Sequence, residues 1–387
     1  MREYALTFVI AAAVTYLLVP LVRRFAIAFG ATPPVRDRDV HKEPIPRLGG
    51  LAIYGGFAAA LLISAQLPHL QNVFVADTWM GLLLAGGLIT VIGVIDDRWG
   101  MDALSKLAGQ TAAAGILVWQ GVQLLWLPLP GTQLSLGPWL GAMISILLIV
   151  VTINAVNFAD GLDGLAAGIV GISAFAFFAY YYVVAVEQGF VRQSYPAMIA
   201  IILAGTCVGF LFHNFHPARV FMGDTGAMLL GLLLTSITIT VTGQFDANTA
   251  REEFNSGLVV FLPVALPLLV IALPLADLVL AVLRRTLAGK SPFAPDRGHL
   301  HHRLLDMGHS HMRAVLLMYL WAGIVSFAAV ALSVFDSPVI VLSVTALVAT
   351  CAVGLIVLPR LRRRGLRARR RKEGVKTGSG HDSRSDA

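Results

Sequence analysis

Apolar stretches close to twenty residues long recur through this chain, at about 4–22, 48–66, 79–95, 104–124, 138–156, 164–185, 195–213, 226–243, 258–283, 313–333 and 338–358. A helix needs about 20 apolar residues to cross the roughly 30 Å hydrocarbon core of a bilayer. The windows therefore predict an all-α, polytopic integral membrane protein with about eleven transmembrane helices. Composition agrees: 57% of the 387 residues are hydrophobic and 13% charged, whereas a soluble domain carries about 25% charged residues. The first window is not read as a cleaved signal peptide, because its strong positive charge, Arg23-Arg24, follows the apolar run instead of preceding it.

Charge then orients the bundle, since cytoplasmic loops carry an excess of Lys and Arg. With the N-terminus outside, only Arg2, Arg192 and Arg251 of the 29 Lys and Arg fall on the outer face. An odd number of spans leaves the C-terminus cytoplasmic. Residues 1–358 are expected to form the transmembrane domain, and 359–387 a basic, disordered tail. That tail suits anchoring to anionic lipid better than nucleic-acid binding. Cys207 and Cys351 lie in separate apolar runs and suggest neither a disulfide nor a Cys-based zinc site.

On this topology the polar motifs gather at the cytoplasmic ends of the spans. The stretch T-I-N-A-V-N-F-A-D-G-L-D-G-L runs from Thr152 to Leu165, with Asn154, Asn157, Asp160 and Asp163 recurring at every third position. A helix cap would explain one aspartate; four polar groups on one helical end at a lipid boundary are read as functional. Asp96 and Asp97 end the third window and Lys106 opens the fourth. A D-D-x-x-D metal motif would need an aspartate where Gly100 stands. In F-H-N-F-H-P-A-R-V-F-M-G-D-T-G-A, Asp224 reads as an N-cap, and a helix N-terminus also attracts phosphate.

The loop P-D-R-G-H-L-H-H-R concentrates Arg297, His299, His301, His302 and Arg303. It is not the H-E-x-x-H zinc motif, and its many N–H donors suit a sugar diphosphate. Pro263, Pro267 and Pro274 are expected to bend the ninth span, and Asp277 near its end has no derived role. Lys42 and Arg47 lie in H-K-E-P-I-P-R-L-G-G, before the second span.

These motifs, in this order from about 41 to 311, resemble those of the polyprenyl-phosphate N-acetylhexosamine-1-phosphate transferases. The resemblance implies a membrane enzyme that moves GlcNAc-1-phosphate from UDP-GlcNAc to a polyprenyl phosphate on the cytoplasmic face of a bacterial plasma membrane, releasing UMP. It implies Mg2+ as cofactor, with Mn2+ as the alternative ion, held by Asp224 and second by the Asn157 oxygen. Asp96, Asp97 and Asp224 become the catalytic carboxylates. The aspartate pair is assigned to positioning metal or nucleophile, with Asp97 as general base the alternative. Lys42, Asn154, Asp160, Asp163 and Phe221 are assigned to the nucleotide, Phe221 stacking on the uracil. Lys106, Arg297, His299, His301, His302 and Arg303 are assigned to phosphate and sugar.

The H-x-H-H loop resembles the UDP-GlcNAc branch, whereas three consecutive histidines mark the UDP-MurNAc-pentapeptide branch of peptidoglycan synthesis. Ala227 stands where the family usually has serine. A secondary transporter is the reading of a different class. It would place polar sites near the midplane of repeated halves, and no half repeats here. No nucleic acid is expected as a partner; the lipid's chain length, the glycan pathway and the oligomeric state, a homodimer included, stay open.

Overall fold

The computed structural model describes residues 1–32, 44–74, 78–129, 132–183, 194–242, 309–335 and 337–354, with isolated positions between 279 and 289. In chain order the described elements are α1 (Arg2–Ala28), α2 (Gly49–Ser64), a 3-10 turn (Leu70–Val73), α3 (Thr78–Trp99) and α4 (Ala103–Trp119). A short antiparallel ribbon follows, β1 (Trp126–Leu129) with β2 (Thr132–Ser135). Then come α5 (Pro138–Ala159), α6 (Leu165–Tyr181), α7 (Tyr195–Asn214), α8 (Gly223–Thr242), α9 (His311–Val334) and α10 (Pro338–Gly354).

Ten of the eleven apolar windows thus fold as helices, and the ninth lies outside the described residues. Six helices are long and apolar enough to cross a membrane, namely α1, α3, α5, α7, α8 and α9, while α2, α6 and α10 are shorter apolar helices. The architecture is that of a polytopic membrane protein. Two local features refine the windows. The connection after α4 contains the ribbon, in a stretch the windows leave as a loop. And α4 stops at Trp119 rather than near 124, because Gly121, at φ +90°, turns the chain. There the N–H groups of Gly121 and Val122 donate to Val118 and Leu117, satisfying carbonyls that the ending helix would leave open.

The centre of the molecule is the pair α7 and α8, the most deeply buried of the long apolar helices. α1 and α6 pack on α7, while α3 and α5 pack on α8, and α2 touches both. Between helices in lipid there is little hydrophobic driving force, so packing relies on small residues that let backbones approach. Two such approaches fix the start of α8. A Cβ on Gly50 would lie 2.2 Å from the Gly226 nitrogen, and one on Gly93 would lie 2.3 Å from the Thr225 Cα. Glycines on α2 and α3 therefore clasp the first turn of α8 from two sides.

Gly93→Ala should lower the stability of the detergent-solubilised protein by about 1–3 kcal/mol, the usual range for overpacking. Gly115→Ala, in α4 with nothing within 4 Å of the new Cβ, should be neutral or gain up to about 1 kcal/mol from helix propensity. Thermal unfolding followed by aggregation measures both. Equal midpoints would show that the clasp on α8 is loose.

Candidate active site

Helix ends build the site. α3 carries Asp96 and Asp97 in its last turn, α4 begins just before Lys106, α5 carries Asn157 in its last turn and is capped by Asp160, and α8 begins with Gly223-Asp224-Thr225. An α-helix leaves its first N–H groups unpaired. Here Asp97 supplies the acceptor: its Oδ1 takes the Asp224 N–H at 3.0 Å, and its Oδ2 takes the Thr225 N–H at 3.0 Å and the Thr225 hydroxyl at 2.6 Å. Gly223 must be glycine on two counts. Its φ is +69°, and a Cβ there would meet the Asp97 carboxylate at 2.2 Å.

Held this way, Asp224 faces Lys106 and Asn157. The Lys106 ammonium donates to Asp224 and, at 2.7 Å, to Asp96. The Asn157 amide donates to Asp224 Oδ1 at 3.0 Å. Asp96 also accepts the Met101 N–H at 2.7 Å, which closes the turn into α4. Asp102 caps α4 through the N–H groups of Leu104 and Ser105, and these bonds with the Ser105 hydroxyl lower its carboxyl below the usual range. The Asp224 side chain is 31% exposed and Asp96 10%, so the cluster is open on the Asp224 side.

Asp160 adds a further carboxyl. Burial above all, with Asp224 and Asp97 acting in the same direction and Arg47 opposing, pushes its pKa up to about 8. Asn154 lies one turn below Asn157; its amide donates to Gln110 at 2.7 Å and to the Val150 carbonyl at 2.8 Å. Gln110 in turn reaches the Met228 sulfur at 3.4 Å, joining α4, α5 and α8 under the acidic cluster.

Asp163 belongs to a neighbouring group. It is 4% exposed; its Oδ2 lies 2.8 Å from His216 Nδ1 and accepts the Ala218 N–H at 3.1 Å. Its own N–H donates to His311 Nε2 at 3.2 Å, and the His216 and His311 rings stack at 4.4 Å. Asn214 accepts the Gly164 N–H and donates to the Val220 carbonyl. Asp163, His216 and His311 have the composition of a cation site, with ligand atoms within 4.8 Å of one another. Their hydrogen bonds also make them a brace on the segment that carries Phe221. That segment is stitched to the entry of α2: Phe221 N–H donates to Pro46, Gly49 N–H to Phe221, and Gly50 N–H to Met222, each at 3.0 Å.

The structure thus brings together Asp96, Asp97, Lys106, Asn157, Asp160 and Asp224, with Asn154 beneath. Asp163 and Phe221 sit on an adjoining loop system. Lys42, Arg297, His299, His301, His302 and Arg303 lie outside the described residues, as do Asp277 and the prolines of the ninth window. Sequence reasoning missed Thr225, Gln110, His216 and His311 as partners. Gln110 had a legible signal, four residues after Lys106 on the same helical face.

All donors at the open side of the cluster are oxygens apart from one ammonium and one amide nitrogen. Carboxylates beside a helix N-terminus suit a hard divalent cation together with phosphate oxygens. At pH 7 a carboxyl with a pKa of about 8 keeps its proton, and a bound cation favours the ionised form. Mg2+ binding at pH 7 should therefore release up to one proton, and the release should fade well above pH 8. Calorimetry in buffers of different ionisation enthalpy reads this, and Asp160→Asn should remove it. Proton release unchanged in that variant would place the titrating group elsewhere.

The sequence pattern described as glycosyl transferase family 4 matches residues 79–242, the segment from α3 to α8 that holds the whole acidic cluster. The chain is 46% identical over 370 residues to the decaprenyl-phosphate N-acetylglucosaminephosphotransferase of Mycolicibacterium smegmatis, covering 94% of this chain and 90% of the relative. It is 31% identical over 334 residues to a probable undecaprenyl-phosphate N-acetylglucosaminyl 1-phosphate transferase of Bacillus subtilis, covering 86% of each. It is 33% identical over 341 residues to a phospho-N-acetylmuramoyl-pentapeptide-transferase of Moorella thermoacetica, covering 85% of this chain and 98% of the relative.

Proposed function

The chain belongs to glycosyl transferase family 4, and from that membership we propose that it transfers GlcNAc-1-phosphate from UDP-GlcNAc to a polyprenyl phosphate, giving polyprenyl-diphospho-GlcNAc and UMP. The observation that carries the reading is the convergence of Asp96, Lys106, Asn157 and Asp224 at the N-terminus of α8, in a chain 46% identical to a decaprenyl-phosphate N-acetylglucosaminephosphotransferase.

In this reaction an oxygen of the lipid phosphate bonds to the β-phosphorus of UDP-GlcNAc, and the bond from that phosphorus to the UMP oxygen breaks. Two anions approach each other, so neutralising charge is the first requirement. Mg2+, or Mn2+ in its place, would supply that neutralisation, held by Asp224 and the Asn157 side chain; the carboxylate oxygens of the cluster fit such an ion. Lys106 contributes a positive charge in the same place and orients Asp224 and Asp96. A phosphate monoester has a second pKa near 6, so the lipid phosphate is already mostly dianionic at pH 7 and needs little help from a base. Asp97 is accordingly a positioning residue. Both of its oxygens are engaged by the first turn of α8, which favours this role over general base.

The nucleotide lies toward Phe221, whose loop is fixed by Asp163 and by the α2 entry. The hexose and diphosphate meet Arg297, His299, His301, His302 and Arg303, with Lys42 at the nucleotide. About eleven spans, an outer N-terminus and a cytoplasmic C-terminus put all of these on the cytoplasmic side of a bacterial plasma membrane.

Purified enzyme with a polyprenyl phosphate should turn over UDP-GlcNAc with UMP as co-product and leave UDP-MurNAc-pentapeptide unused. A site built to hydrogen-bond one sugar strongly rejects a partner that leaves those groups unpaired. Asp224→Asn should abolish turnover in protein that still inserts and folds, and His301→Ala or Arg303→Ala should lower transfer while UMP still binds. Turnover of the pentapeptide substrate alone would move the chain to the other branch. For topology, a cysteine at Asn248 should react with an impermeant thiol reagent from outside and one at Gly298 only from inside; labelling of both from one side would scatter the site across the membrane.

A further inference from the structure

Away from the acidic cluster, a cavity of about 510 Å3 opens between the C-terminal part of α1, residues 44–46 and the segment after α7. Its lining includes Arg23, Arg219 and His213, and none of its described lining residues is acidic. The Arg23 Nε donates to the Arg219 backbone carbonyl at 3.2 Å, which ties the end of α1 to the segment after α7, and both residues line the cavity. Among the described residues neither guanidinium has an ion-pair partner. An anion entering the cavity would meet two guanidinium side chains and no carboxylate among its described lining residues.

The surroundings identify the anion's source. Just along α1 and α7 from the cavity, Leu17 is 65% exposed, Leu21 58% and Phe212 71%. An apolar strip of this kind on membrane-crossing helices faces acyl chains, and Arg23 stands where the apolar run of α1 gives way to charge. Arginine is the side chain best matched to phosphate oxygens. We propose that this cavity binds the headgroup of an anionic phospholipid, with its acyl chains lying over Leu17, Leu21 and Phe212. The cavity does not include the acidic cluster, but it is lined by Pro46 and residues 218–220, which adjoin Phe221. A bound lipid would therefore steady the loop that Asp163 braces through Ala218.

Each basic residue near an anionic lipid contributes about 1 kcal/mol, a factor of about five. Full-length protein in nanodiscs of phosphatidylcholine with a minor fraction of phosphatidylglycerol should, by native mass spectrometry, retain phosphatidylglycerol selectively. The Arg23→Gln, Arg219→Gln double variant should lose that retention about 25-fold. Arg24→Gln, a neighbour outside the cavity, should change it little, and Arg23→Lys with Arg219→Lys should keep most of it. Should the double variant fail to fold, Arg219→Gln alone, at an exposed position, should give about a fivefold loss. Retention equal to wild type in either charge-removing variant would overturn the proposal. So would equal losses from Arg24→Gln, which would reduce the effect to general surface charge. Competition by inorganic phosphate, or a raised KM for polyprenyl phosphate with phosphatidylglycerol retention unchanged, would assign the cavity to a free anion or to the substrate and also overturn it.

Discussion

The carboxylate of Asp97, closed over the first turn of α8, is the contact on which the active face depends. It satisfies two backbone N–H groups and one hydroxyl at once, and hydrogen bonds to an ionised acceptor are roughly twice as strong as neutral ones. The helix start is also the positive end of the helix dipole, which favours a negative group there. Through this one side chain the end of α3 is fixed to the start of α8. Asp224, the next carboxylate along, is thereby aimed at Lys106 and Asn157 rather than at the Thr225 turn. Gly50, Gly93 and Gly223 exist to let the backbones come close enough for this to happen.

A second constraint is the cost of charge in lipid, about 2.5–3.5 kcal/mol for an aspartate at the centre of a spanning helix. The chain meets it by keeping its carboxylates at helix ends and giving the buried ones partners. Asp97 has the α8 turn, Asp96 has Lys106 and Met101, and Asp163 has His216 and Ala218. Some deeper polar groups are uncharged and hydrogen-bonded within the bundle, as with Asn154 to Gln110 or Ser145 between Leu124 and Gly141. A transport pathway would instead place ionisable groups near the midplane. Asp224 is the carboxylate of the cluster most open to solvent, and an exposed acidic group at a helix start is where chemistry is expected.

Sequence by itself determined that the chain crosses a membrane many times, because uninterrupted apolar runs of about twenty residues admit only that solution. It also singled out polar residues against greasy surroundings, and of these Asp96, Asp97, Lys106, Asn157, Asp160 and Asp224 meet at adjoining helix ends. The helix stops at Gly30 and Gly121, both at positive φ, were not among the features the apolar windows gave.

What each of those residues does was decided only by the tertiary structure. Adjacent carboxylates look alike in a sequence, yet Asp96 turns to Lys106 and Asp97 to the α8 backbone, because successive positions on a helix point about 100° apart and meet different neighbours. His216 and His311 are separated by 94 intervening residues in the chain, and only the packing of α9 on α6 stacks them beside Asp163. Pairing across such distances depends on which helix faces meet. In lipid that is settled by close packing of small residues, a property of three-dimensional shape that no local pattern of residues encodes.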